Sequence, residues 1–356
     1  MNAKFRDLVL VNILAVAAGL FASGILLLFL KKNPLQAFSV LFASVARDRY
    51  TFADIFVKAT PLIFSGLAFS FTYKASLFNI GAQGQFYIGA IAAVWVSLLV
   101  GGALPPVLSL PLVFIVVVLS GGIWGAFIGF VKARFKSNEF LVSMMSTYVA
   151  LAIMNYLLRT VLMETKGEYP QTDSLASSLW LPVFIPGTRL HAGFLIALAA
   201  AAGIWILLYK TGFGYRIRVV GSNANAARLA GIEINRLYVA AFFIAGALAA
   251  CAGFTEVNGV QHMLIQGFNP NIGSAGIGIA ILANANPMGV VFAAILFGAL
   301  SVGGTIMGQL SGIPSSIIDL MQGFVMVFVI LSYFVRARLE TAREKRRIRQ
   351  AEAAAL

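Results

Sequence analysis

The stretch GFGYRIRVVGSNANAARLAGI, Gly212–Ile232, lies between two long apolar runs, one ending at Tyr209–Lys210 and the next beginning near Leu237. Around it Lys210, Arg216, Arg218, Arg228 and Arg236 stand against a single acid, Glu233. A short helix with readable ends is expected inside it. Ser222 is expected to cap its N-terminus, the hydroxyl accepting an otherwise orphan backbone N–H. Asn223–Ala230 are mostly small, helix-tolerant residues, and Gly231 supplies a C′ stop. A short, small-faced, basic helix between two apolar spans reads as a docking element at a membrane surface.

The composition agrees with that setting. Of 356 residues, 60% are hydrophobic and 11% charged, and the mean hydropathy is +0.90. Soluble domains carry about 25% charged residues. Apolar runs of about 18 residues or more recur, each able to cross a bilayer as a helix, and the alternating short strands of a membrane barrel are missing. The expected fold class is therefore an all-α, polytopic membrane protein with about ten transmembrane helices. The net charge of +13 comes from Lys and Arg between the runs and at the C-terminus. That is the positive-inside pattern, so it argues for a membrane-lipid partner and against nucleic acid.

Working outward, Lys4 and Arg6 precede Leu8–Leu30, a run too long for a signal h-region of about 7–15 residues, so a retained first helix is expected. Further spans are expected at about Asp54–Tyr73 (with Pro61 kinking it), Ile80–Val100, Val107–Val131, Glu139–Leu162, Leu190–Tyr209, Leu237–Val257, Met288–Met307 and Ser315–Val335. Lys31–Thr51 is a mixed segment, read as a loop or an amphipathic surface helix. Ala275–Ala283 is too short to cross about 30 Å at 1.5 Å per residue, and is expected to be a discontinuous or strongly tilted helix. The whole reads as one transmembrane domain, residues 1–335, with a cytoplasmic loop 210–236 and a basic tail 336–356. Placing that tail inside puts the loops 132–136 and 210–236 and the N-terminus inside too, and the acid-bearing segment Met163–Arg189 outside. The count works only if Ala275–Ala283 completes a crossing.

Asn79-Ile80-Gly81-Ala82-Gln83-Gly84 resembles Asn271-Ile272-Gly273-Ser274-Ala275-Gly276. On this map the first opens a span from inside and the second from outside, as an inverted-topology repeat would.

Catalytic signatures are absent from the sequence: it has no Walker A motif, no G-x-S-x-G and no H-E-x-x-H. The one cysteine, Cys251, and the isolated His191 and His262 assemble no metal set, and no deep acid suited to a proton relay is expected. What the spans hold is glycine and amide. Asn79, Gln83, Gln85, Asn284 and Asn286, with Phe86, are candidate pathway residues for a neutral polar solute; helix-packing glue is the alternative reading of the same residues.

Three passages resemble the permease subunits of bacterial ABC importers in the nucleoside, simple-sugar and branched-chain amino acid branch, most of all the nucleoside type. They are FNIGAQGQFYIGA (Phe78–Ala90), GYRIRVVGSNANAARLAGI (Gly214–Ile232) and GIGIAILANANPMGVVFAAILFGAL (Gly276–Leu300). The resemblance implies a type II-like importer fold of about ten helices. It implies a second permease, a sister chain or a copy, a pair of cytoplasmic ATPases that bind the ATP, so that this chain itself has no cofactor and is no enzyme, and an extracytoplasmic solute-binding lipoprotein. It further implies a bacterial inner-membrane location with both termini cytoplasmic. The ATPase-coupling residues implied are Arg216, Arg218, Gly221, Ser222, Asn223, Ala226, Ala227, Arg228 and Gly231. Two positions depart from the family: Ala224 replaces a common proline, and Ala275 stands where nucleoside-type members usually carry aspartate. Riboflavin, sugar or branched-chain amino acid remain alternative solutes, and an ion-coupled carrier the alternative mechanism.

Overall fold

The computed structural model describes residues 3–45, 47–101, 104–269, 271–314, 316–332 and 338. Apart from Arg338, the expected basic tail lies outside the described residues. The chain forms helices α1 (Ala3–Phe29), α2 (Pro34–Val45), α3 (Arg49–Tyr73), α4 (Ala82–Val100), α5 (Pro106–Phe135), α6 (Glu139–Leu158), α7 (Gly193–Lys210), α8 (Gly212–Ser222), α9 (Ala224–Leu229), α10 (Ile234–Glu256), α11 (Ile272–Leu282) and α12 (Pro287–Ser311). A further apolar helix, α13, covers Ser316–Ser332. Among the described residues, seven helices are long and apolar enough to cross a membrane: α3, α4, α5, α6, α7, α10 and α12. With α1, α11 and α13 they occupy the ten positions read from the sequence. The chain is a multi-pass, all-helical membrane protein.

Two compact units divide the fold, residues 45–302 and residues 1–44 with 303–356. In the smaller unit, Asn33 Oδ1 accepts the Leu35 and Gln36 N–H groups at 3.0 and 3.3 Å and so starts α2 inside the mixed segment. Gly19 of α1 brings that helix onto the backbone of Val325 in α13, whose Cα lies 2.5 Å from where a Cβ would stand.

In the larger unit the helices sort by what surrounds them. α3, the less apolar of the two at mean hydropathy 1.5 against 2.4, is buried over most of its length, and α5 over little of it. The less apolar helix is central because Thr60, Ser65 and Thr72 return hydrogen bonds to protein, as Thr60 does to the Phe56 carbonyl at 2.8 Å. Val107, Ile115, Ile123 and Phe127 of α5 instead stand exposed for lipid. The sequence reading begins α3 at Asp54; it begins at Arg49, since Asp48 Oδ1 caps the Tyr50 and Thr51 N–H groups at 2.9 and 2.7 Å.

α5 and α10 pack most intimately. A Cβ on Gly125 would overlap the Phe242 carbonyl oxygen, and Gly121 and Gly246 meet backbone to backbone one turn away. The seam needs no side chain to fill it and tolerates none. Gly125→Leu should therefore abolish the folded protein or lower its melting temperature in detergent sharply, overpacking costing at least about 1–3 kcal/mol. Gly203 of α7, with no atom within 4 Å of its Cβ position, is the control: Gly203→Leu should leave the melting temperature within about one or two degrees, an exposed change being worth roughly 0.5 kcal/mol or less. Equal melting temperatures for the two variants would refute the seam.

At the opposite end from α8–α9, the segment after α6 folds over the chain that follows α10. Thr172 N–H donates to the Leu264 carbonyl at 2.9 Å, Leu175 N–H to that of His262 at 2.8 Å and Leu181 N–H to that of Asn258 at 2.8 Å. His191 is 1% exposed. Its Nδ1 accepts the Gly193 N–H at 3.1 Å, and Gly193 and Gly259 hold their backbones against the ring. His262 stacks on Trp180 with centroids 3.9 Å apart. Two histidines that looked isolated in sequence are thus neighbours in one cap. Burial, and then His262, push the His191 pKa down from 6.5 to about 4; burial also lowers that of His262.

A folded pKa below the unfolded one means the unfolded chain takes the proton first. The contribution is complete above about pH 6.5 and is lost as pH falls toward 4, on the order of 3 kcal/mol for His191. The hydrogen-exchange protection factors of residues 163–190, taken relative to the intrinsic amide rate at each pH, should fall between pH 6.5 and 4.5, and His191→Gln should flatten most of that fall, leaving the smaller share of His262. Protection that is flat in the wild type, or that falls equally steeply in His191→Gln, would contradict this.

Candidate functional site

The docking stretch folds as two helices. Thr211 Oγ1 accepts the Gly214 N–H at 3.1 Å and starts α8 directly off α7. The expected Ser222 cap is corrected: Ser222 is the last residue of α8, and its hydroxyl donates back to the Val219 carbonyl at 2.9 Å. Asn223 caps α9 instead, with Oδ1 accepting the Asn225 and Ala226 N–H groups, both at 3.0 Å. Its extended backbone, φ −159° and ψ 102°, is what an N-cap requires, whereas Ser222 is still inside a helix. At the other end Gly231 has φ +76°. The Ile232 N–H reaches the Ala227 carbonyl and the Gly231 N–H that of Arg228, both at 3.0 Å. This is the paired Schellman closure, reserved in effect for glycine at C′.

α8–α9 forms a platform with one buried and one open face. Ala227 is fully buried, while Leu229 is 92% exposed; Ala226, Arg228, Ala230 and Gly231 stand exposed beside it. Arg216 is exposed, and Arg218 lies with its guanidinium 5.2 Å from the Tyr209 ring centroid.

Gly221 joins this platform to the bundle. The Lys74 carbonyl occupies the place a Cβ would need, and Ser76 Oγ donates to the Gly221 carbonyl at 2.6 Å. Lys74 in turn donates Nζ to the Asn284 carbonyl at 3.3 Å. Burial, then the charge of Arg218, hold its ammonium pKa below the usual range. The ends of α3 and α11 are thus both tied to α8. Asn284 and Ala285 turn the chain with φ of 53° and 49°, and Asn286 Oδ1 accepts the Met288 N–H at 3.1 Å to start α12.

The two resembling stretches meet. Gln83, near the start of α4, donates Nε2 to the Asn269 carbonyl at 3.0 Å and accepts the Gly273 N–H at the start of α11. Gly276 lies on Ser65 of α3, whose hydroxyl donates to the Gly273 carbonyl at 3.4 Å. From that junction α11 runs to the Lys74 end of the bundle. α4 runs the other way, to where Ser97 accepts from Asn258 Nδ2 at 3.1 Å. α11 has 11 residues, about 16 Å, or half a bilayer core. Asn79 and Gln85 are fully buried and bond each other, Nδ2 to Oε1 at 2.9 Å and Nε2 to Oδ1 at 3.4 Å. Phe86 is 1% exposed and stacks on Phe268 at 5.3 Å.

One deep acid escaped the sequence reading. Glu256, the last residue of α10, is 2% exposed, and the charge of Lys58 on α3 acts on it without a direct ion pair. The signal was a lone acid inside GFTEVNGV, which looked like a helix end because the apolar run stops there. In fact the helix continues as a π turn over Val257–Gln261, and such turns cluster at functional sites.

Comparison with known proteins places this geometry. Residues 51–330 match the family model described as branched-chain amino acid transport system / permease component. The glucose ABC transporter permease protein of Haloferax volcanii is 34% identical over 94% of this chain and 90% of its own. The guanosine ABC transporter permease protein of Bacillus subtilis is 34% identical over 92% and 94%. The nucleoside ABC transporter permease protein of Lactococcus lactis is 29% identical over 96% of both. A multi-pass helical bundle, an interrupted helix that opens at an amide–glycine junction, and near full-length relatives of that kind lead to one conclusion: the chain belongs to the branched-chain amino acid transport system permease family.

Proposed function

We propose that this chain is the pathway-forming permease subunit of an ABC importer for nucleosides, driven by a separate ATPase that grips α9 from the cytoplasm. The observation that carries this reading is the α8–α9 platform, a capped, basic, solvent-facing knob wired by Gly221 to the ends of α3 and α11. The relatives named for guanosine and nucleosides support the solute. The relative named for glucose favours a sugar as the second reading; a ribosyl group and glucose are both polyhydroxylated rings. The termini lie on the cytoplasmic side with the platform, a second permease completes the pathway, and an external binding protein delivers the solute.

On this reading ATP binding moves α9. The motion passes through Gly221 to the Lys74–Ser76 turn, and from there to the α4–α11 junction at Gln83. A half-helix held at one end by Gln83 and Ser65 can shift without breaking a long helix, which suits an alternation between two packed states. Gln83 is then the member of the amide set placed to sense the solute, and Asn79 with Gln85 hold the turn that carries it.

The function is tested in vesicles holding this chain with its sister permease, ATPase and binding protein. Labelled guanosine should enter only with ATP, and unlabelled guanosine, not glucose, should compete. Uptake that survives ATP removal but collapses with the proton gradient would overturn the importer; competition by glucose alone would transfer the solute to the second reading. The docking face is tested by Leu229→Asp. Losing one buried leucine, roughly 1.5–3 kcal/mol, should weaken ATPase binding about 10- to 100-fold. Uptake should fall with it, while the protein inserts normally. Unchanged ATPase co-purification would refute the knob.

A further inference from the structure

A cavity of about 780 Å³ opens on the flank of the α5–α10 seam, at the end of the bundle that carries α8 and α9. Its walls come from one face of each helix. Ala126 and Phe130 line the α5 side, and Val239, Ala240, Phe243 and Ile244 the α10 side. These positions recur at helical spacings of three and four, so each set forms a continuous stripe. From residue 236 to residue 244 the α10 wall is about 12 Å long.

The rim has a different chemistry. Arg134, Lys136 and Arg236 close the mouth. Lys132, one turn before Lys136, is already paired with Glu139 at 2.7 Å. Arg236 shares its charge with the exposed Glu233 at 2.8 Å. Arg134 and Lys136 form no ion pair with the described residues. Lys136 ends α5 with φ +53° and stands exposed in the lining of the cleft. The glycine seam explains why the space exists. Gly121 and Gly125 draw the two backbones together, and helices in contact at one line must diverge beside it, leaving a wedge that no side chain fills.

A wedge with three cations at the headgroup level and an apolar wall below it complements one kind of molecule. We propose that this cleft is a binding site for an anionic phospholipid, phosphate at Arg134, Lys136 and Arg236 and acyl chain against Phe130, Phe243 and Ile244. Basic pockets between membrane helices at a charged leaflet bind such headgroups. Assignment to the inner leaflet rests on the orientation proposed above; the site itself does not. Occupancy would wedge the α5–α10 pair at the end where α10 receives the chain from α9, so lipid composition would set how firmly the platform is held.

Native mass spectrometry of the purified chain, titrated with phosphatidylglycerol or phosphatidylcholine of the same acyl chains, tests this. The wild type should retain phosphatidylglycerol preferentially. Each cation contributes roughly 5-fold, following about 1 kcal/mol per Lys or Arg near an anionic surface. Arg134→Gln with Lys136→Gln and Arg236→Gln, all exposed positions, should erase the preference and leave weak binding of both lipids. Ala240→Trp, which fills the cleft, should remove both, with the melting temperature confirming the fold. Equal binding of the two lipids, a preference that survives the triple change, or displacement of the lipid by millimolar inorganic phosphate would each overturn the proposal. None of these readouts depends on transport, so failure of the importer reading and failure of this site are separable.

Discussion

Contact between backbones, at positions where no side chain intervenes, is the interaction on which this bundle depends. Within lipid there is no hydrophobic drive to press one apolar helix on another, so close packing and internal hydrogen bonds must hold the bundle. Gly125 against Phe242, Gly273 against Gln83 and Gly221 against Lys74 are three instances, and they fall on a route from the seam of the bundle to its α8–α9 platform. Each fixes two helices at a distance only glycine permits. Each also makes the neighbouring helix feel any displacement at once, because nothing compressible lies between.

That route explains why the interrupted helix sits where it does. The chain leading toward α11 is irregular over Met263–Asn269, and protein satisfies its backbone. Thr172 and Pro170 of the cap hold Leu264 and Gln266, Gln83 takes the Asn269 carbonyl and the Gly273 N–H, and Phe268 is covered by Phe86. The two stretches that begin with Asn-Ile-Gly are thus each other's partners. Their helices leave the junction in opposite directions, the arrangement an inverted repeat requires. The sequence map needs Ala275–Ala283 to complete a crossing; α11, Ile272–Leu282, is the short helix expected there.

Much of this was legible before any coordinates, and the reasons differ by element. Long apolar runs announced the spans because length against bilayer thickness is a one-dimensional constraint. Gly231 was legible because few residues accept its φ of +76°. Ser222 and Asn223 are adjacent and both residue types cap well; the choice between them depends on where α8 ends, and α8, with its cap at Thr211, has no apolar run to announce it. α2 was half-legible, as apolar residues mixed with a few polar ones fit surface or bundle equally. The Gly121–Gly125–Gly129 stripe lies in plain view, but a stripe names a face and not its partner. Glu256 was hidden by its position at the end of an apolar run, which made a buried acid look like an interfacial one.

The placement of charge then separates the two ends of the molecule by kind. At the docking end cations are numerous and partly unpaired, so they remain available to whatever approaches: Arg216 and Arg228 on the platform, Arg134 and Lys136 beside the seam. At the other end titratable groups are held by bonds within the chain. His191 is enclosed by glycine backbones and held neutral, and Asp173 accepts from Thr165 Oγ1 at 2.6 Å, which holds its carboxyl pKa down. On the proposed function these unspent charges serve the ATPase contact, because an approaching partner gains only from groups that the fold has not already satisfied. The cap shows the reverse, bonds satisfied within the chain. Between these two ends of the bundle lie the Gly221 contact with Lys74 and the α4–α11 junction at Gln83.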